Sequence, residues 1–128
     1  MPTANPVVTG TDFMFLPVKD FGASKSFYTE VLGLPFSVDY ERIPGGEFET
    51  GGVTIVLIQG DAIGREVKPG GGALALHVND VAEARGELES RGVEFMGDIV
   101  DSGVCHQAYF SDPDGHALIL HHRYAPKG

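Results

Sequence analysis

Two stretches of this chain follow one pattern. Phe13-Met14-Phe15-Leu16-Pro17-Val18-Lys19-Asp20 lines up with Ala73-Leu74-Ala75-Leu76-His77-Val78-Asn79-Asp80 at an offset of 60, and Leu16/Leu76, Val18/Val78 and Asp20/Asp80 coincide. Each stretch is apolar and ends at an aspartate, as a buried strand does when it meets a helix. Internal self-similarity of this length constrains the fold more than any single residue, because it sets a repeated unit.

A helical stripe follows in both copies. In the first, Ala23, Phe27, Tyr28, Val31 and Leu32 share a face, and Gly33 stands where a left-handed cap is wanted. In the second, Val81, Ala84 and Leu88 make the stripe and Gly92 closes it. Asp80 with Glu83 outlines a capping box, whereas Ala23 sits at the matching place after Asp20. A strand start comes next, at Leu34–Val38 and at Val93–Met96, then a middle strand, a turn and a last strand. Asp112-Pro113-Asp114-Gly115 has proline to preset φ and glycine for a positive φ, so it reads as a hairpin turn. The last strands are Val53–Ile58 and Ala117–His121, with Gly52 matching Gly115.

The chain is therefore expected to be β-α-β-β-β twice, an α+β fold. The divisions are an N-terminal extension at 1–10, a first module at 11–60, a glycine-rich linker at 61–72, a second module at 73–122 and a tail at 123–128. Neither module has the residues to bury a full core alone, so the two should pack as one domain. With 128 residues, 42% hydrophobic and 21% charged, the chain is ordinary for a globular protein rather than a disordered one. The net charge of −9 should repel nucleic acid and anionic membranes. A single cysteine, Cys105, excludes an internal disulfide framework and a four-cysteine zinc site. No apolar run approaches a membrane span, and Met1–Pro6 lacks the basic and apolar regions of a signal peptide, so a cytoplasmic protein is expected.

Paired modules with Val18-Lys19-Asp20 before the first helix, Phe27-Tyr28 within it, Gly33 after it, and Asp112-Pro113-Asp114-Gly115 before the last strand resemble the vicinal oxygen chelate superfamily. That superfamily holds glyoxalase I, extradiol dioxygenases, fosfomycin-resistance enzymes and bleomycin-resistance proteins. The resemblance runs from about Asp12 to His121. It implies a curled mixed sheet around a cavity, frequently with a metal held by His and Glu, and a homodimer in which some members complete each cavity from both chains. The family's ligand places fall on Phe13, Ala73, Val56 and Ile119 in this sequence. Phenyl and alkyl groups offer a divalent ion no lone pair, so neither the family's metal nor any other cofactor is expected here.

Counted from those family places, strand alternation then lists the cavity face that the resemblance implies. It holds Phe13, Phe15, Ala73, Ala75, His77, Val56, Ile58, Ile119 and His121, while Met14, Leu16, Leu74, Leu76, Leu118 and Leu120 turn toward the helices. Tyr109 falls where the fosfomycin-resistance enzymes have a ligand-facing tyrosine, and Cys105 and Gln107 share its parity. The expected ligand-binding set is Phe13, Phe15, His77, Gln107, Tyr109 and His121, an aromatic bowl with a few polar points. No residue is assigned as catalytic. Cys105 and His106 are adjacent on a strand and should face opposite ways, which argues against a nucleophile dyad. His116 is expected to be exposed and His122 to be packing or surface. Gly70-Gly71-Gly72 precedes a strand rather than a helix, so it is a linker and not a phosphate loop.

Three functions compete. The first is a metal-independent binding protein of the bleomycin-resistance kind, holding an aromatic or cationic organic ligand with help from acidic Asp39, Glu41, Glu47 and Glu49 at the rim. The second is a glyoxalase- or dioxygenase-like enzyme with a metal displaced onto His77 and His121, or with metal-free acid–base chemistry from Tyr109 and a histidine. The third is a dimerisation or regulatory unit with a filled cavity. A small organic ligand and a second copy are the expected partners, with Val7 and Val8 pairing on the partner's sheet edge.

Overall fold

A computed structural model of the protein describes residues 7–126. The order is β1 (Phe13–Val18), α1 (Phe21–Ser26), β2 (Phe36–Asp39), β3 (Gly45–Glu49), β4 (Thr54–Gln59), β5 (Ala73–His77), α2 (Val81–Ser90), β6 (Met96–Asp101), β7 (Cys105–Ser111) and β8 (Ala117–Arg123). A π-helical stretch, Phe27–Val31, extends α1, and a 3-10 turn, Gly60–Ile63, follows β4. The repeated β-α-β-β-β pattern is therefore present in both halves. Among the described residues no helix is long and apolar enough to cross a membrane.

The expected caps are in place. The Asp20 carboxylate accepts from the Ala23 N–H at 3.2 Å, and Asp80 accepts from the Glu83 N–H at 2.9 Å. At the end of α2 the N–H groups of Gly92 and Val93 reach back to the carbonyls of Glu89 and Leu88, both at 3.0 Å. That doubled bond needs a left-handed residue, and Gly92 supplies it with φ +93. It also explains one departure from the sequence reading. Val93 is spent closing the helix, so β6 begins at Met96 rather than Val93. In the first module Leu34 likewise donates to Tyr28, and β2 begins at Phe36.

Each half is a separate four-stranded mixed sheet, in the order β1-β4-β3-β2 and β5-β8-β7-β6. The first and last strands of each module pair in parallel, and the others are antiparallel. The sequence reading of an α+β fold built from two β-α-β-β-β modules is met, and among the described residues β1 and β5 each end their own sheet and do not pair with each other.

Core packing follows the alternation. Leu16, Val18, Ile55 and Leu57 of the first sheet are buried under α1, with Phe21, Tyr28 and Phe48 beside them. The rings of Phe36 and Phe48 lie 4.9 Å apart, and those of Tyr28 and Phe48 5.7 Å. In the second module Leu118, Leu120, Ala108 and Phe110 pack with Val81 and Leu88 of α2. Leu74, Phe27 and Leu32 touch both clusters, so the halves share one core.

A polar latch joins the halves at the Asp112–Gly115 turn. Asp112 is buried and accepts from the Tyr28 hydroxyl at 2.7 Å and from the N–H groups of Asp114 and His116, each at 2.9 Å. Asp114 accepts from the Lys19 N–H at 3.0 Å and the Ser24 hydroxyl at 3.3 Å. His116, expected to be exposed, is only 6% accessible, with Nε2 2.8 Å from the Pro17 carbonyl. A carbonyl only accepts, so Nε2 carries the proton. The turn is a docking element, and its histidine is buried because it plugs into the first module.

Candidate ligand-binding face

The side of each sheet away from the helices is the open one. On β5 the residues alternate, with Ala73, Ala75 and His77 exposed while Leu74 and Leu76 are half-buried. Strand register then sets out rows across the second sheet. One row runs Met96–Tyr109–Ile119–Ala75, and the next runs Val100–Gln107–His121–His77. A third pairs Cys105 with Arg123. The first sheet has the matching row Val38–Glu47–Val56–Phe15.

Four of the six sequence-predicted residues, His77, Gln107, Tyr109 and His121, thus meet on one face of the second sheet. The Tyr109 hydroxyl donates to the Gln107 Oε1. The Gln107 Nε2 points at the Cys105 sulfur, 3.5 Å away. That chain of contacts fixes which end of the amide each neighbour sees. Phe13 and Phe15 lie on the first sheet, where Phe13 is 59% exposed and the Arg65 guanidinium sits 5.6 Å over the Phe15 ring. The structure does not place these two rings in the polar rows of the second sheet. The His77 ring lies 5.9 Å from that of His122, whose Nδ1 is 3.1 Å from the Val78 carbonyl.

Cys105 is buried, its sulfur 3.1 Å from the Ser102 hydroxyl. His106 turns the other way, stacked 4.8 Å from Tyr124 with Nε2 3.3 Å from Asp101. Asp101 is held below the usual carboxylate range, chiefly because the Tyr124 hydroxyl donates to it, and Tyr124 is raised for the same reason. On the first sheet the hydroxyls of Ser37 and Thr54 donate to Glu49 and hold its carboxyl below the usual carboxylate range. Tyr40 is pushed up to about 12, first by desolvation and then by its bond to Glu47 at 2.5 Å.

Sequence reasoning placed Glu47 only at a rim. The register puts it in the same row as Phe15 and Val56, and β3 parity, had its start been known, would have shown that. Arg123 was assigned to the tail, yet it belongs to β8 and stands in the open face beside Cys105. A cavity of about 430 Å³ lies elsewhere, between β5, α2 and the end of α1. Of the six predicted residues, His77 alone lines it.

The four places that the resemblance implied as metal donors carry Phe13, Ala73, Val56 and Ile119, whose side chains offer no donor atom. The residues present do not fit such an ion. Among the described residues, three or more metal-capable side chains come within 4.8 Å of one another at Asp112, Asp114 and His116. Those groups are already engaged in the latch.

Comparison with known proteins agrees with this architecture. The family model of the Glyoxalase/Bleomycin resistance protein/Dioxygenase superfamily matches residues 10–120. No curated protein matches the chain. Among solved structures, TnmS3, an antibiotic binding protein from Streptomyces sp. CB03234, is 25% identical, with a TM-score of 0.74 over 93% of this chain and 99% of that one. A glyoxalase/bleomycin resistance protein from the same organism is 27% identical, with a TM-score of 0.69 over 88% and 99%. Lactoylglutathione lyase from Agrobacterium tumefaciens shares the fold at 19% identity, with a TM-score of 0.72 over 91% and 94%.

Proposed function

The chain belongs to the Glyoxalase/Bleomycin resistance protein/Dioxygenase superfamily, and from that premise we propose that it is a metal-independent protein that binds an aromatic or cationic organic molecule. The observation that carries this reading is the apolar character of all four family donor places, two of which, Ala73 and Ile119, share a face of the second sheet with a row of hydrogen-bonding groups. The likeness to an antibiotic binding protein supports it.

The apolar surface of Ile119, Ala75 and Phe15 would take the body of the ligand, and Phe15 offers a ring face for stacking. His121, His77 and Gln107 would orient its polar groups, with Tyr109 holding the Gln107 amide in one orientation. Glu47 would favour a positive group near Phe15. In this reading a second copy completes the bowl, as a homodimer in the cytoplasm; the two separate sheets with open end strands support the dimer.

The test is titration calorimetry against a panel of aromatic compounds, neutral and cationic, with and without a chelator. Binding at micromolar concentrations that survives the chelator and weakens in His121→Ala supports the reading. One firmly bound metal ion per chain, with ligand binding lost on chelation, overturns it.

A further inference from the structure

With 18 acidic and 9 basic side chains, this chain has acids to spare for its cations. Lys68, Arg85 and Arg91 pair with Glu66, Glu89 and Glu87, while Lys25 and Arg65 sit over the rings of Phe36 and Phe15. Arg123 is different. Among the described residues it makes no ion pair, and its Nε is closed off from solvent with no hydrogen-bond partner. No other side-chain nitrogen or oxygen among the described residues is in that condition. A buried donor without an acceptor costs free energy, so it marks a place where an acceptor belongs.

The end of the chain fills that place by half. The N–H groups of Tyr124 and Ala125 both donate to the Val104 carbonyl, at 3.0 and 3.2 Å, which ties the end of β8 to the loop before β7. The Pro126 carbonyl thereby lies 3.3 Å from Nη2 of Arg123, a long bond. Nε and Nη2 share one edge of the guanidinium plane, and that edge is a fork with two prongs. A carbonyl has one oxygen and serves one prong. A carboxylate has a second oxygen at the right spacing and serves both.

The neighbours on the open face agree. Cys105 pairs with Arg123 across the strands, and His121 lies two residues before it on the same side of β8. Gln107 gives its Oε1 to the Tyr109 hydroxyl, so its Nε2 is the end left over, with a 3.5 Å contact to the weak acceptor sulfur of Cys105. Donors are thus gathered at one end of the face. Asp101 of the adjacent strand pairs with His106 on the opposite side of the sheet, where the Tyr124 hydroxyl and the Gly103 N–H engage it. Ile119 and Ala75 follow beyond the His121 row. Donor end first and apolar surface next is the order of a carboxyl group and its ring.

We propose that the molecule bound on this face is an aromatic acid, whose carboxylate takes the Nε–Nη2 edge of Arg123 in place of the Pro126 carbonyl. This rests on the binding face of the proposed function and names the class of its ligand. Arg123 is then the residue that sets specificity, because a site built on donors rejects a ligand lacking the matching acceptor.

Calorimetry of the full chain with cinnamate and its neutral analogue cinnamamide tests this. The two compounds share a ring and a shape and differ in charge. The wild type is expected to bind cinnamate tighter by about tenfold or more, a charged fork against a single neutral bond. Arg123→Gln should abolish that preference while leaving the affinity for cinnamamide and the circular dichroism spectrum unchanged. Arg123→Lys keeps the charge but loses the fork, and should keep only part of the preference. The wild-type comparison and Arg123→Lys read the preference even if Arg123→Gln fails to fold. Equal binding of the two compounds by the wild type, a preference that survives in both variants, or an equal loss of both compounds in Arg123→Gln overturns the assignment. If His121→Ala still weakens whichever compound binds, the proposed face stands without it. Binding of neither compound also overturns the assignment, and the wider panel of the proposed function then decides the face on its own.

Discussion

Removing one oxygen atom from Tyr28 should loosen the joint between the two halves. Its hydroxyl is fully buried and donates at 2.7 Å to Asp112, a carboxylate only 6% exposed and 84 residues away in the sequence. Tyr28→Phe keeps the ring against Phe27 and Phe48 but strands Oδ2 of that carboxylate. A hydrogen bond to a charged group contributes about 1.5–3 kcal/mol, and a buried acceptor left unmatched costs about as much. The expected loss is about 2 kcal/mol, which for a domain of this size lowers the melting temperature by about 6–10 °C. Urea unfolding followed by circular dichroism measures it, with an unchanged m-value. Asp112→Ala and the double variant complete a cycle whose coupling should be about 1.5–3 kcal/mol. A Tyr28→Phe loss below about 0.5 kcal/mol, or strictly additive variants, would show that the latch is geometry without energetic weight. The same bond sets a pH response. Burial first, then the Asp112 charge, raises the Tyr28 phenol far above its ordinary value. A raised folded value means stability that is complete below about pH 10, where the unfolded phenol titrates, and that falls as pH rises above it. Tyr28→Phe should be less sensitive to alkali than the wild type.

Other parts of the structure give equally direct expectations. Gly46→Ala would set a Cβ 2.4 Å from both the Phe36 ring and the Val38 carbonyl, so it should destabilise by about 2–3 kcal/mol in the same urea assay; a neutral result would mean β2 is free to shift. Phe48→Ala removes a fully buried ring contacted by three others and should cost about 3–5 kcal/mol. In an absorbance titration at alkaline pH, Tyr40 should ionise near 12, and the Tyr40→Phe difference spectrum should lack that step; its stabilisation is present below about pH 10 and fades between 10 and 12. Once a ligand is in hand, Tyr109→Phe frees the Gln107 amide to rotate and should weaken binding about tenfold by calorimetry, about 1.4 kcal/mol.

The fold was readable because it is written twice. Asp20 and Asp80, Gly33 and Gly92, and the alternation on β1, β5 and β8 each state a local preference that agrees with the next. What the sequence did not show arises from contacts between the halves. Nothing local to His116 distinguishes an exposed turn residue from one plugged under Pro17. Val93 looked like a strand residue because it is apolar and β-branched, and helix closure claimed it instead. Four of the six proposed ligand residues share a face because period-2 parity survives any uncertainty in strand ends. Glu47, read only as a rim residue, was not placed in the Phe15 row because β3 opens with Gly45-Gly46, where small residues erase the hydrophobic pattern that would reveal parity.

The Tyr28–Asp112 bond has no twin. At the offset that matches Asp20 with Asp80, the place of Tyr28 is taken by Leu88, and at the spacing of Gly52 and Gly115 the place of Asp112 is taken by Glu49. A leucine has no proton to give, and Glu49 is occupied by Ser37 and Thr54. The halves are therefore a matched plug and socket rather than two equal bricks. A tandem of two first halves would present two phenols and only the engaged Glu49 to receive them, and a tandem of two second halves would present a carboxylate with no phenol. At this joint the two halves are complementary rather than interchangeable.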